Sequence, residues 1–134
     1  MKLLKSIHHI AIICSDYEVS KKFYVEILGL NILAERYRAE RYRAERQSYK
    51  LDLAMDEHYV IELFSFPNPP KRTSRPEAAG LRHLAFAVSD LEKAIQHLNE
   101  NDIKSEPIRV DEFTGKRFTF FSDPDGLPLE FYEE

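Results

Sequence analysis

The sequence predicts an α+β fold in which two tandem βαβββ modules form a curved mixed sheet around a cleft. The leading observation is an internal repeat, IHHIAIICSD at residues 7–16 and LRHLAFAVSD at residues 81–90. In each half, a helical pattern and then three strand patterns follow the repeat. Half of this chain cannot cover both faces of its own sheet, so two paired modules are expected to share a core.

The first module contains one helix and four strand candidates. Residues 7–14 alternate as a strand does, and Ser15-Asp16-Tyr17-Glu18 matches a capping box at a helix start. The helix has an apolar stripe and ends at glycine, with Val19, Phe23, Ile27 and Gly29 as the residues concerned. The other strand candidates lie at residues 31–38, 47–55 and 59–66.

The second module repeats this order. LRHLAFAV is a strand, Ser89-Asp90-Leu91-Glu92 is a second capping box, and the helix buries Leu91, Ala94, Ile95 and Leu98. Strands are predicted near residues 105–110, at 116–122 and at 128–133. The predicted organisation is a single domain over residues 1–134, with module one at 5–66, a proline-rich linker at 67–80 and module two at 81–134.

Composition narrows the function classes. With 19 Lys and Arg against 23 Asp and Glu, the net charge is −4, which does not favour nucleic acid or a membrane surface as partner. No apolar run approaches the roughly 20 residues that cross a bilayer. The single Cys14 fits a reducing compartment. We therefore expect a cytoplasmic protein whose partner is a small-molecule substrate.

The segment RYRAERYRAER at residues 36–46 repeats RYRAE in tandem. Glutamates interleave with its arginines, and a period of five suits neither a strand nor a helix. We interpret it as a solvated hairpin tip between the second and third strands. A lid or a contact to an anionic ligand is the alternative.

Four polar residues occupy matching inward positions of the two modules. His9 and His83 share a strand face with small alanines, while Glu62 and Glu130 alternate with outward apolar residues in the fourth strands. Two buried carboxylates repel each other, and one cation held by His9, Glu62, His83 and Glu130 resolves the set. Alternatively, each glutamate pairs with one of the available arginines, Arg82, Arg109 or Arg117. His8, His58 and His97 are interpreted as spare.

Two imidazoles and two carboxylates suit one divalent ion per site. Zn²⁺ or Ni²⁺ is expected first, with Co²⁺, Mn²⁺ and Fe²⁺ as further candidates. Four protein ligands leave open positions, which indicates a catalytic metal. Phe64 and Tyr132 lie on the glutamate face and are predicted either to wall the substrate pocket or to be plain core aromatics.

The stretches HHIAIICSD, FYVEILGL, VIELF, LRHLAFAVSD and FSDPDGLPLEFYE resemble the vicinal oxygen chelate superfamily, which includes glyoxalase I, bleomycin resistance proteins and extradiol dioxygenases. The resemblance implies that the metal chelates two adjacent oxygens of the substrate. The His-Glu-His-Glu set is most similar to lactoylglutathione lyase. It implies a lyase or isomerase that stabilises an enediolate of a small carbonyl or thiol-adduct substrate, with Glu130 as the base and Glu62 as the second candidate.

Two other functions are compatible with this resemblance. One is an acyl-thioester epimerase of the methylmalonyl-CoA type, in which Glu45 or Asp52 supplies a further acid near the third strand. The other is a drug-binding or resistance module without catalysis. Relatives in the superfamily are commonly homodimers, so a homodimer is expected, with the site built either within one chain or across two.

Overall fold

Each half of the chain forms a four-stranded mixed sheet with the same strand order. The computed structural model describes residues 1–38 and 47–134, and the chain divides into two units, Met1–Pro70 and Lys71–Glu134. The first unit contains β1 (Ile10–Cys14), α1 (Tyr17–Lys21) continued by a π-helical segment (Lys22–Ile27), β2 (Asn31–Arg38), β3 (Ser48–Met55) and β4 (His58–Ser65). The second contains β5 (Leu84–Val88), α2 (Leu91–Glu100), β6 (Arg109–Val110), β7 (Arg117–Ser122) and β8 (Pro128–Glu133).

The sheet orders are β1-β4-β3-β2 and β5-β8-β7-β6. In both sheets the first strand of the module runs parallel to the fourth, and the remaining neighbours are antiparallel. The parallel pairing requires a crossover, which the helix after the first strand provides. The predicted α+β class and the tandem βαβββ order are thereby confirmed.

Alternation along the fourth strands separates an apolar face from a polar one. Ile61 and Leu63 on β4 are 1% and 0% exposed, and Leu129 on β8 is 0% exposed. Burying each such side chain stabilises the fold by about 1.5–3 kcal/mol. Because strand side chains alternate, this burial directs Glu62 and Glu130 to the opposite face of each sheet.

Both helices begin one residue later than the capping boxes predict. The Asp16 carboxylate accepts from the backbone N–H of Val19 at 3.2 Å, and that of Asp90 accepts from Lys93 at 3.0 Å. Aspartate is as good an N-cap as serine, and it stands one position nearer to the helix. The predicted capping-box register is therefore wrong by one residue, and Glu92 pairs with Arg117 instead.

The predicted apolar stripe of the first helix is partly wrong. Val19 is 50% exposed, whereas Phe23 and Tyr24 are buried. The buried residues Tyr17, Ser20 and Tyr24 are spaced by three and four, so the buried face of the helix lies away from Val19. A π-helical turn follows, in which the Leu28 N–H donates to the Phe23 carbonyl at 2.9 Å. Gly29 then ends the element with a φ of 81°, a conformation that favours glycine.

The tandem RYRAE segment begins inside a strand. Residues 36–38 belong to β2, where Arg38 pairs with Ser48 of β3, so the predicted hairpin tip cannot start at Arg36. Residues 39–46 lie outside the described part of the chain. Among the described residues, no helix combines the length and the apolar character that crossing a membrane requires.

Candidate metal centre

The first histidine–glutamate pair joins the start of β1 to the middle of β4. Glu62 pairs in register with Ala11, and His9 precedes Ala11 by two residues. The His9 Nε2 lies 2.8 Å from the Glu62 Oε2, and the two side chains are 34% and 12% exposed. Because β1 begins at Ile10, His9 immediately precedes the strand instead of lying within it, as the alternation from residue 7 predicted.

The second pair has the same construction in the second unit. Glu130 on β8 is in register with Ala85 on β5, and His83 precedes Ala85 by two residues. The His83 Nε2 lies 3.0 Å from the Glu130 Oε2, with side-chain exposures of 26% and 11%. His83 also precedes its strand, which begins at Leu84. Equivalent positions of the two modules thus carry equivalent pairs.

The four predicted ligands are therefore found as two pairs, one in each unit. Within residues 1–38 and 47–134, no group of three or more histidine, cysteine, aspartate and glutamate side chains is arranged to hold a metal ion. Convergence of all four ligands on one cation stays a prediction. An imidazole nitrogen and a carboxylate oxygen from each pair are nonetheless the donor set that Zn²⁺ or Ni²⁺ accepts.

The arginines considered as alternative partners pair with other carboxylates. Arg82 contacts Glu77 and Arg109 contacts Glu106, each at 2.8 Å. Arg117 bridges Glu92 and Glu133 on the strand face opposite to Glu130. In the described chain, arginine pairing thus does not account for Glu62 or Glu130.

The surroundings of the two pairs differ sharply. Across the β3–β4 ladder Asp52 faces Glu62, whereas across the β7–β8 ladder Phe120 faces Glu130. The Lys50 Nζ lies 2.9 Å from the Asp52 Oδ1 and 3.7 Å from the Glu62 Oε1. In the second unit, the Phe120 ring stands nearly perpendicular to the His83 ring with centroids 5.0 Å apart. The cross-strand neighbour of the first pair is thus ionic, and that of the second pair is aromatic.

Asp52 is poorly suited to accept a proton. Burial alone raises the pKa of its carboxyl, but the Lys50 ammonium and the Tyr59 hydroxyl, which donates at 3.0 Å, hold that pKa below its usual value. Burial also raises the pKa of the Tyr59 phenol, and the carboxylates of Glu62 and Asp52 raise it further. Asp52 therefore stays ionised and hydrogen-bonded. Glu45, the other acid considered for an epimerase, lies outside the described residues.

Three residues beside the first pair were missed or misplaced in the sequence analysis. Lys50 and Tyr59 were not considered, although the alternation along β3 places Lys50 on the face of Asp52, and pairing β3 with β4 would have pointed to both. His8 was interpreted as spare, and its Nδ1 lies 2.8 Å from the His9 Nδ1. Strand alternation could not place this ring, because β1 begins only at Ile10.

The two predicted pocket aromatics are partly exposed and stacked on neighbouring rings. Phe64 stacks on Phe66 with centroids 5.9 Å apart. Tyr132 stacks on Phe118 at 6.3 Å, and its hydroxyl donates to the Asp111 Oδ2 at 3.0 Å. The hydroxyl of Tyr132 thus fastens the loop before β7, while the proposed contact of both rings with substrate stays a prediction.

Replacing Lys50 with methionine removes the cation that lies between the Asp52 and Glu62 carboxylates. We expect the metal-free protein to lose about 1–3 kcal/mol of unfolding free energy, because the two facing carboxylates lose the cation they share and Asp52 keeps only a 3.5 Å contact with Arg36 as an ion pair. Urea denaturation followed by circular dichroism measures this loss. Lys93→Met is the matched control, since the Lys93 side chain is 84% exposed. Equal stability of the two variants would contradict this role for Lys50.

Comparison with known proteins agrees with the architecture over nearly the whole chain. The family model of the Glyoxalase/Bleomycin resistance protein/Dioxygenase superfamily matches residues 6–131. The protein YwkD of Bacillus subtilis (strain 168) is 67% identical over 132 residues, which cover 98% of this chain and 99% of that protein. The crystal structure of a glyoxalase family protein from Enterococcus faecalis is 51% identical with a TM-score of 0.85, covering 96% of this chain and 98% of that one.

A more distant solved structure is glyoxalase I of Leishmania major, described as trypanothione-dependent. It is 25% identical with a TM-score of 0.69, covering 98% of this chain and 88% of that one. The duplicated βαβββ order, the paired histidine–glutamate positions and the extent of these matches lead to one assignment. The chain belongs to the Glyoxalase/Bleomycin resistance protein/Dioxygenase superfamily.

Proposed function

We propose that this protein is a divalent-metal-dependent lyase or isomerase of the glyoxalase kind, acting on a small carbonyl compound or its thiol adduct. The observation that carries the proposal is the duplicated histidine–glutamate pair at equivalent register positions of the two modules. The resemblance to a trypanothione-dependent glyoxalase I supports the same reaction class.

His9, Glu62, His83 and Glu130 would hold the metal. Each pair offers one imidazole nitrogen and one carboxylate at 2.8–3.0 Å from each other, and neither carboxylate is paired with a described arginine. A bound Zn²⁺ or Ni²⁺ would act as a Lewis acid that lowers the energy of negative charge on two adjacent substrate oxygens.

Glu130 would move the proton on the carbon next to the carbonyl, with Glu62 as the second candidate. The Lys50 ammonium lies 3.7 Å from the Glu62 Oε1, a contact that helps to hold this carboxylate in place. Glu130 faces the Phe120 ring across the ladder, and His83 is its ion-pair partner among the described residues. A carboxylate that no lysine holds can turn toward the substrate proton more easily, and a general base must come within hydrogen-bond reach of that proton.

An activity assay tests the reaction class. We expect metal-stripped protein to be inactive, and protein restored with Ni²⁺ or Zn²⁺ to convert methylglyoxal plus a low-molecular-weight thiol into a thioester, followed by its absorbance. Glutathione is the first thiol to assay. Absence of turnover with every thiol excludes glyoxalase I, whereas absence of metal-dependent α-proton exchange in heavy water excludes the wider class.

We also propose a homodimer. The N-terminal segment leaves Leu3, Leu4 and Ile7 between 78% and 84% exposed, which is apolar area that a second copy can cover. Light scattering at micromolar concentration should give twice the chain mass of 15.7 kDa. A monomer that still binds one metal ion per chain would contradict the dimer.

A further inference from the structure

A pocket of about 670 Å³ opens in the second unit beside His83. All of its lining residues lie between positions 74 and 128, so the pocket belongs to this unit alone. The His83 imidazole and the Phe120 ring form part of the lining. Four cationic side chains line it together with three acidic ones: Arg75, Arg82, Lys104 and Arg109, against Glu77, Asp102 and Glu106. The lining thus carries more positive than negative charge.

The acidic side chains leave the cations available to a ligand. The Arg82–Glu77 and Arg109–Glu106 pairs are formed by side chains that are at least half exposed. Such exposed pairs contribute at most about 1 kcal/mol, so a bound anion can replace the glutamate in either pair at little cost. Within the two described ranges, Arg75 and Lys104 form no ion pair. Their charge is therefore directed to solvent or to a ligand.

Two of the arginines are oriented before any ligand arrives. The Arg109 guanidinium carbon lies 5.4 Å from the Phe118 ring centroid and 5.1 Å from that of Phe120. A guanidinium that packs its plane against aromatic ring faces keeps its N–H edge free to donate to oxygen acceptors. The Arg82 Nη1 lies 3.4 Å from the His83 Nδ1, which places a second guanidinium directly beside the proposed metal ligand.

We propose that this pocket binds an oxyanion of the substrate, a carboxylate or a phosphate, through the guanidinium groups of Arg82 and Arg109 with Arg75 and Lys104. Planar guanidinium groups bind such oxygens in pairs. The inference rests on the proposed function, and it specifies the substrate class as an anionic carbonyl compound. The reacting carbonyl faces the His83–Glu130 pair, and the anionic group lies toward Arg109. A neutral dicarbonyl substrate leaves these cations unused.

Binding of simple anions to metal-free protein tests the pocket. Inorganic phosphate and malonate are titrated separately into ¹⁵N-labelled protein at constant ionic strength set with chloride. We expect amide shifts to concentrate in residues 74–83 and 102–109. Because charge-assisted hydrogen bonds are lost, the double variant Lys104→Gln/Arg109→Gln raises the Kd at least about tenfold. Lys93→Gln, an exposed cation on α2, leaves the Kd unchanged. Arg75→Gln supplies the same comparison if the double variant does not fold.

Each outcome decides the proposal. Binding of phosphate alone indicates a phosphate-bearing substrate, binding of malonate alone a carboxylate, and binding of both a general oxyanion pocket. Shifts scattered over the surface, or equal Kd values for the double variant and Lys93→Gln, overturn the inference. No metal or turnover enters this measurement, so its failure leaves the metal-dependent reaction standing. Conversely, if the protein binds anions but shows no metal-dependent α-proton exchange, only the proposed reaction is overturned.

Discussion

His83→Ala is expected to lower the affinity for Zn²⁺ or Ni²⁺ by at least about a hundredfold, because it removes one of the four ligands that we propose for the metal ion. The wild-type protein should hold about one divalent ion per chain, measured by atomic emission after dialysis. His9→Ala should cause a loss of the same order, since it removes the equivalent ligand of the first pair. Competition with a chromophoric chelator gives the Kd of each variant.

The pair of histidine variants distinguishes a shared ion from two separate ones. If each histidine–glutamate pair bound its own cation, wild-type protein would hold two ions and His83→Ala would lose half of them. A shared site loses its ion in both variants. His97→Ala on α2 is the control and should keep full metal content. Full metal content in His83→Ala would show that the ligand assignment is wrong and would remove the main support for a metal enzyme.

Glu130→Gln is expected to lower kcat by about 10²–10⁴-fold, the contribution typical of a positioned general base. Glutamine keeps an oxygen that can contact the metal but cannot accept the substrate proton. The expected result is therefore a variant that keeps much of its metal while losing α-proton exchange in heavy water. Metal analysis and proton exchange on the same preparation separate these two roles.

The control for Glu130→Gln is Glu112→Gln, an exposed carboxylate in the loop before β7. It should keep both metal content and turnover. Full turnover in Glu130→Gln would assign the proton transfer to another group, and Glu62→Gln would be the next variant to assay. Loss of both metal and turnover would mean that Glu130 acts mainly as a ligand.

Much of the fold followed from local pattern. The alternation that buries Ile61, Leu63 and Leu129 also predicted which face carries Glu62 and Glu130, because strand side chains have a period of two. Features that depend on the backbone hydrogen-bonding pattern were harder to predict from the sequence. The π-helical segment at Lys22–Ile27 is one example, because no residue in it signals an i→i+5 turn by its type alone.

The sequence by itself determined the duplicated βαβββ order and the two histidine–glutamate positions, because both appear as sequence repeats at equivalent positions of the two modules. Only the tertiary structure decided what surrounds each pair. Cross-strand register places Asp52 opposite Glu62 and Phe120 opposite Glu130. The same register brings the Lys50 ammonium close to the Glu62 carboxylate. Register depends on hydrogen bonding between strands that are distant in the chain, and a one-residue slip reverses every side chain. The ionic cross-strand neighbour of the first pair and the aromatic one of the second are therefore consequences of strand pairing.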